Sequence, residues 1–260
     1  MEKNQGNQSL IRGLRLIDLL SNYPNGCPLA HLTKLVGLNK STVHRLLQGL
    51  QSEGFVCPAN STGSYRLTTK CLSIGHKTLA SLNIINVAMP YLEQLNLTLG
   101  ETVNFSKRED DHALMIYKLE PTTGMMKTRA YIGQHLPLYC SAMGKLYLAF
   151  EDDPAYLTTY WQSHQEIIQQ LTAKTITSLD KMCEELNKIQ LEHYAMDREE
   201  NELGVMCIAY PIFNHQHKVE YAVSVSASIY KFAQLGMANV QQQIQLTAQG
   251  ISQELGANIE

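Results

Sequence analysis

"GLNKSTVHRLLQGLQSEGF", residues 37–55, carries two different faces on one helical period. Val43, Leu46, Leu47 and Leu50 recur at i, i+3, i+4 and i+7, the spacing of a single apolar stripe. Roughly 200° round the helix axis lie Ser41, His44, Arg45 and Gln48, side chains whose donors and acceptors suit base edges and phosphates. One face packs, and the other is suited to reading DNA. Asn39 is the residue type that caps a helix, so the first turn carries Lys40, Ser41 and Thr42 toward the same surface.

Upstream, "SLIRGLRLIDLLSNYP" (9–24) spaces Leu10, Leu14, Ile17 and Leu20 as one helical face and ends at Pro24 and Gly26. "PLAHLTKLVG" (28–37) predicts a short second helix, with Pro28 in its first turn, Leu29, Leu32 and Val36 on one side, and Gly37 as its break. Two helices across so tight a turn make a helix-turn-helix. Downstream, "FVCPANSTGSYRLT" (55–68) predicts two short strands around a Ser-Thr-Gly-Ser turn, a hairpin beside the third helix. That completes a winged helix over residues 1–68, with Ser64, Tyr65 and Arg66 at or after the hairpin tip, placed for the DNA backbone or minor groove. A small three-helix bundle shares the apolar pattern, but the turn, the wing and the charge favour the DNA-binding form.

The charge is divided along the chain. Residues 1–82 hold nine Lys and Arg against three acids, net +6, whereas residues 83–260 hold twelve against twenty-one, net −9. Phosphate neutralisation needs positive charge gathered in one place, so a nucleic-acid module joined to something else is expected. A chain of 260 residues, 44% hydrophobic and 17% charged, suits one large or two ordinary globular domains. No apolar run approaches the ~18 residues of a membrane span, and "MEKNQGNQSL" has no basic start before an apolar stretch, so a cytoplasmic protein with no membrane partner is expected. The six cysteines show neither CxxC nor paired metal spacing, which predicts reduced, packed thiols, no metal and no cofactor.

Helical pattern resumes from Lys70 to Leu99 with Pro90 inside it, read as a linker helix (69–82), a break near Asn83 and a helix opening a second domain (83–260). Strands then alternate with helices: "TVNFSKR", "HALMIYKLE", "MMKTRAYI", the helix "AMGKLYLAF", helices across 152–192, and the strands "VMCIAYPIF" and "EYAVSVSAS". The class is α+β. In the last strand Ala222, Ser224, Ser226 and Ser228 alternate with Tyr221, Val223, Val225 and Ala227, so one face is hydroxyl-rich, either a site or the strand's solvent side. "DREEN" (197–201) is a charge run of the kind that is usually solvated. GxSxG, HExxH, P-loop and Rossmann glycine motifs are missing; the strongest enzymatic rival, Ser141 or Cys140 as nucleophile with His135 or His193 as base, has no supporting spacing, and no enzyme is expected.

Three stretches, "GLNKSTVHRLLQGLQSEGF", "GQHLPLYCSAMGKLYLAF" and "MDREENELGVMCIAYPIF" with "EYAVSVSAS", together resemble an IclR-type bacterial transcription regulator over nearly the whole chain. Within that family the likeness is to repressors of carbohydrate-acid utilisation operons, carried by "EPTTGMMKTRAYIGQHLPLYCSAMGK". The resemblance implies an N-terminal winged helix-turn-helix, a linker helix used in dimerisation, and a C-terminal GAF-like α/β effector-binding domain. It implies operator DNA as partner, a homodimer or a tetramer of paired dimers, and a small hydroxylated or keto carboxylic acid as effector. Its ligand contacts fall here on Ser141, Ala142, Gly144, Asp197, Cys207, Ser224 and Ser226. These residues suit that ligand: small side chains at a helix start leave backbone N–H groups for a carboxylate, and Asp197 accepts from hydroxyls. A metabolite sensor acting through a protein partner differs from this reading only in the first 70 residues, where the basic helix face argues against it.

Overall fold

Asn7 opens the first helix, α1 (Gln8–Ser21), by accepting hydrogen bonds from the Ser9 and Leu10 amides, which a helix start leaves without intrahelical partners. The structure, a computed structural model, describes residues 7–59, 63–80, 83–123 and 128–257. The chain divides into two units between Leu82 and Asn83.

In the first unit, α1 is followed by strand β1 (Cys27–Pro28) and helices α2 (Leu29–Val36) and α3 (Lys40–Ser52). Leu16, Leu20, Leu32, Val43, Leu47 and Val56 close a core between them. Gly37 ends α2 in the left-handed region at φ 65°, where a side chain is disfavoured, and lets the chain turn directly into α3. The expected face of α1 is corrected. Gly13, Leu16 and Leu20 are buried while Leu10 and Leu14 are exposed, because the helix carries more apolar residues than one core-facing stripe can hold. Pro28 sits just before α2 as its cap and pairs with Ser64, so it belongs to a strand rather than to the helix's first turn. The wing strands β2 (Val56–Pro58) and β3 (Ser64–Leu67) form the expected antiparallel hairpin, extended by β1 in the order β1-β3-β2. Residues 60–62, which hold the first half of the expected turn, lie outside the described residues. Helix α4 (Thr69–Ala80) follows the wing.

The second unit opens with α5 (Asn83–Leu99), which contains Pro90, and continues as β4 (Thr102–Glu109), β5 (His112–Leu119), β6 (His135–Pro137), α6 (Ala142–Ala149), α7 (Tyr156–Ser163), α8 (Leu179–Glu192), β7 (Ala195–Arg198), β8 (Val205–Phe213), β9 (Val219–Ser228), α9 (Ile229–Leu235) and α10 (Met237–Glu254). One six-stranded antiparallel sheet runs β6-β5-β4-β9-β8-β7. α10 lies on β8 and β9 with α5 against it, and α6 covers the other face with α8 behind it. A sheet covered on both sides explains why β9 is buried almost throughout, serines included. The expected strand "MMKTRAYI" is corrected: described residues 128–134 form no strand, Tyr131 and Ile132 are exposed, and Gly133 at φ 90° turns the chain before β6. The first three residues of that stretch, 125–127, lie outside the described residues. The helices expected across 152–192 are α7 and α8.

Gly144 decides how closely α6 approaches the chain that leads into it. A Cβ there would lie 2.5 Å from the Leu138 Cα and 2.6 Å from its carbonyl oxygen, both backbone atoms. Gly144→Ala therefore forces the helix off its seat, at a cost of about 2 kcal/mol or more. The chain's single tryptophan, Trp161, lies in this unit and reports it: its fluorescence unfolding midpoint falls in the variant.

Candidate functional site

Asn39 sets the start of α3: its Oδ1 accepts from the Thr42 amide at 2.8 Å and from the Ser41 hydroxyl at 2.8 Å. With Val43 and Leu47 buried in the core, Lys40, Ser41, His44, Arg45 and Gln48 are left exposed, and Thr42 is half-buried beside them. The helix thus presents two cations and several hydrogen-bonding groups along one side, with its N-terminal amides nearby, an arrangement that suits phosphate and base-edge contacts. On the wing, Arg66 is exposed and Tyr65 packs partly against the core. Ser64 is corrected as a contact residue. It is only 3% exposed, because β3 is sandwiched between β1 and β2 and Ser64 pairs with Pro28.

The second site is a cavity of about 220 Å³ between the sheet and the start of α6. Ser141, Ala142, Asp197, Cys207, Ser224 and Ser226, far apart in sequence, line it together. Register explains the convergence: Cys207 pairs with Ser226 across β8 and β9, and Asp197 pairs with Cys207 across β7 and β8. The three side chains therefore share one row on the face toward α6. The buried Ser224 and Ser226 are not a solvent face. Gly144 is corrected: it is absent from the wall because its amide is taken by Ser141 Oγ at 3.0 Å and its Cα faces Leu138. Ser141 also donates to the Pro137 carbonyl at 3.0 Å. Its hydroxyl thus caps α6 and has backbone partners rather than a histidine, while burial pushes the Cys140 thiol up to about 12, unlike an activated nucleophile.

Two carboxylates of the charge run at 197–201, Asp197 and Glu200, turn inward, while Arg198 and Asn201 stay exposed. Lys145, fully buried on α6, reaches Glu200 Oε1 at 2.6 Å and Glu185 Oε1 at 3.2 Å. Burial acts to raise the Glu185 carboxyl, but Lys145 and Arg198 outweigh it and hold the group below its ordinary range. Asp197 Oδ1 accepts from the Glu200 amide at 2.6 Å and the Asn201 amide at 3.4 Å, forming the turn that carries Glu200 inward. Burial, with the neighbouring Glu200 charge, raises Asp197 to about 7 despite these donors. Cys207 Sγ lies 3.0 Å from Ser226 Oγ, and burial pushes its thiol up as well.

Sequence reasoning misses Lys145, Glu185, Glu200 and Asn104. A lone lysine amid the apolar residues of "AMGKLYLAF" is the signal for the first. Polar Thr102, Asn104 and Ser106 alternating with Val103 and Phe105 is the signal for the last. Among the described residues no His, Cys, Asp and Glu cluster is arranged to hold a metal, and no helix is long and apolar enough to cross a membrane.

A carboxyl raised in the folded state stabilises the fold below its ordinary range, and that contribution is lost as pH rises through about 7. Asp197→Asn keeps the acceptor and removes the ionisation. The melting temperature of the variant minus that of the native protein, followed through Trp161, therefore rises between pH 4 and pH 8; a constant difference contradicts the assignment.

The family model described as bacterial transcriptional regulator IclR C-terminal matches residues 76–253, and the one described as IclR helix-turn-helix domain matches residues 9–57. The chain is 68% identical over 255 residues to an uncharacterized HTH-type transcriptional regulator of Haemophilus influenzae, covering 98% of this chain and 95% of that one. It is 62% identical over 258 residues to the DNA-binding transcriptional repressor YiaJ of Escherichia coli, covering 99% and 91%. A crystal structure of a transcriptional regulator YaiJ, 60% identical, superposes with a TM-score of 0.66 over 68% of this chain and 97% of its own. With both domain models matched and relatives aligned nearly end to end, this chain belongs to the IclR family of bacterial transcriptional regulators.

Proposed function

We propose that the chain is a repressor of a carbohydrate-acid catabolic operon, binding operator DNA through α3 and the wing and controlled by a small hydroxylated or keto carboxylic acid in the cavity beside α6. The observation that carries this reading is the cavity itself, whose wall joins the start of a helix to a buried row of hydroxyl, thiol and carboxyl groups. The amides at the α6 start favour a carboxylate, and Ser224, Ser226 and Asp197 offer partners for hydroxyls. The first relatives' descriptions as regulators, one of them a repressor, support the DNA half.

In this reading Lys40, Ser41, Thr42, His44, Arg45 and Gln48 enter the major groove while Tyr65 and Arg66 approach the backbone or minor groove. The protein acts as a homodimer, or as paired dimers, on half-sites separated by whole helical turns. It performs no catalysis, and the domains act as the winged helix (1–68), the linker helix (69–82) and the effector domain (83–260). For the acid to regulate, it must bind the DNA-competent and DNA-incompetent states with different affinity. The protein works in the cytoplasm, where operator and metabolite meet.

The test is binding of the purified protein to DNA from its own upstream region at several salt concentrations. Arg45→Ala weakens that binding by about 1–3 kcal/mol, roughly 5- to 150-fold, and leaves acid binding unchanged. Equal affinity of variant and native protein at fixed salt contradicts the placement of α3.

A further inference from the structure

Asn104 stands at the middle of the sheet, opposite Ser224 in the β4–β9 register, and lines the same cavity. Its side-chain amide donates to Ser226 Oγ at 2.9 Å and to Ser224 Oγ at 3.2 Å, which uses both of its hydrogens. Its Oδ1 is buried and has no hydrogen-bond partner among the described residues. With the amide nitrogen bound to the serines, the oxygen is the one polar atom of the Asn104 side chain left to pair, on a residue that lines the cavity.

We propose that Asn104 is a specificity-determining residue of the effector cavity, whose Oδ1 accepts from a ligand hydroxyl and so selects polyhydroxylated acids over deoxy acids of the same length. This rests on the reading of the cavity as an effector site and deepens it. A buried acceptor without a donor is costly, and an incoming hydroxyl hydrogen removes that cost. An aliphatic carbon leaves it in place, and a carboxylate or keto oxygen, an acceptor only, adds repulsion. The wall therefore has polarity. The ligand's carboxylate lies at the α6 start, where Ala142 belongs to the first helical turn, and its hydroxyl-bearing carbons lie against Asn104 and Asp197. The two serines hold Asn104 in place, and Ser226 is in turn braced by the Cys207 thiol. They orient the selecting oxygen as well as lining the cavity.

The experiment titrates the full-length protein with gluconate, xylonate and threonate, and with hexanoate, pentanoate and butanoate as the matched acids lacking hydroxyls, following Trp161 fluorescence and heat of binding. The native protein prefers a hydroxylated acid to its deoxy match by about ten- to a hundredfold. Asn104→Leu, which removes the acceptor, lowers that ratio at least tenfold, whereas Asn104→Asp, whose second oxygen accepts from the two serine hydroxyls in place of the lost amide donors, keeps an acceptor there and preserves the preference. An unchanged ratio in Asn104→Leu overturns the proposal. Should that variant fail to fold, loss of preference in a folded Asn104→Asp overturns it equally, because shape rather than the acceptor is then being read. If the native protein binds none of the six acids, and none alters its DNA binding, the effector reading falls and this inference with it. Tight binding of the acids with no preference for hydroxyls overturns the role of Asn104 alone.

Discussion

An ammonium group withdrawn completely from water is tolerated only when charge and hydrogen bonds are supplied in its place, and Lys145 finds them in Glu200 and Glu185. That requirement shapes the effector unit. Lys145 rides on α6, Glu200 on the turn after β7 and Glu185 on α8, so satisfying one cation fixes the relation of three elements. Two of them form walls of the cavity: the start of α6 with Ser141 and Ala142, and the end of β7 with Asp197. Asp197 contributes to the same constraint by accepting from the Glu200 amide, which bends the chain so that Glu200 can turn inward. Removing either partner of such a pair strands a charge in a low-dielectric interior, at about 3–5 kcal/mol.

The polar groups of the cavity are buried by the same layering. A sheet with α10 on one side and α6 on the other has no solvent face at its centre, so Asn104, Ser224 and Ser226 must satisfy one another or an occupant. Their hydrogen bonds run across β4 and β9 and on to Cys207 on β8, giving a polar row across the centre of the sheet. Such a row is poor filling for a purely structural sheet, and well suited to a site that recognises a small polar molecule. The N-terminal unit divides its surfaces differently: Val43 and Leu47 hold α3 to the core, and the exposed positions between them carry the groups offered to DNA.

Much of this is legible in the residues. The 3.6-residue period of Val43, Leu46, Leu47 and Leu50 fixes which side of α3 is exposed, and the Asn39 cap and Gly37 turn follow from local chemistry. Periodicity fails where apolar residues outnumber the space available, as at Leu10 and Leu14, and where strand-forming residues are taken up by a turn, as at Tyr131 and Ile132, whose turn is closed by the Gln134 amide donating to the Tyr131 carbonyl. Ser64 and Gly144 show another limit. A residue's type suggests a contact, but burial by neighbours distant in sequence or packed against it, Pro28 for one and Leu138 for the other, decides whether it is available. Lys145 and the 197–201 run escape sequence reasoning for the same reason, since each charge is costly alone and acceptable only beside the other, and that pairing spans 55 residues of sequence.

A regulator built this way couples two bindings, and coupling between two equilibria must be reciprocal. The most direct measurement is therefore calorimetric titration of the full-length protein with the acid that alters its DNA binding, once alone and once saturated with its upstream DNA. For a coupled regulator the acid's affinity changes on DNA by the same factor, and in the same sense, as the DNA affinity changes with the acid. An acid that binds with identical affinity in the two titrations would contradict that coupling.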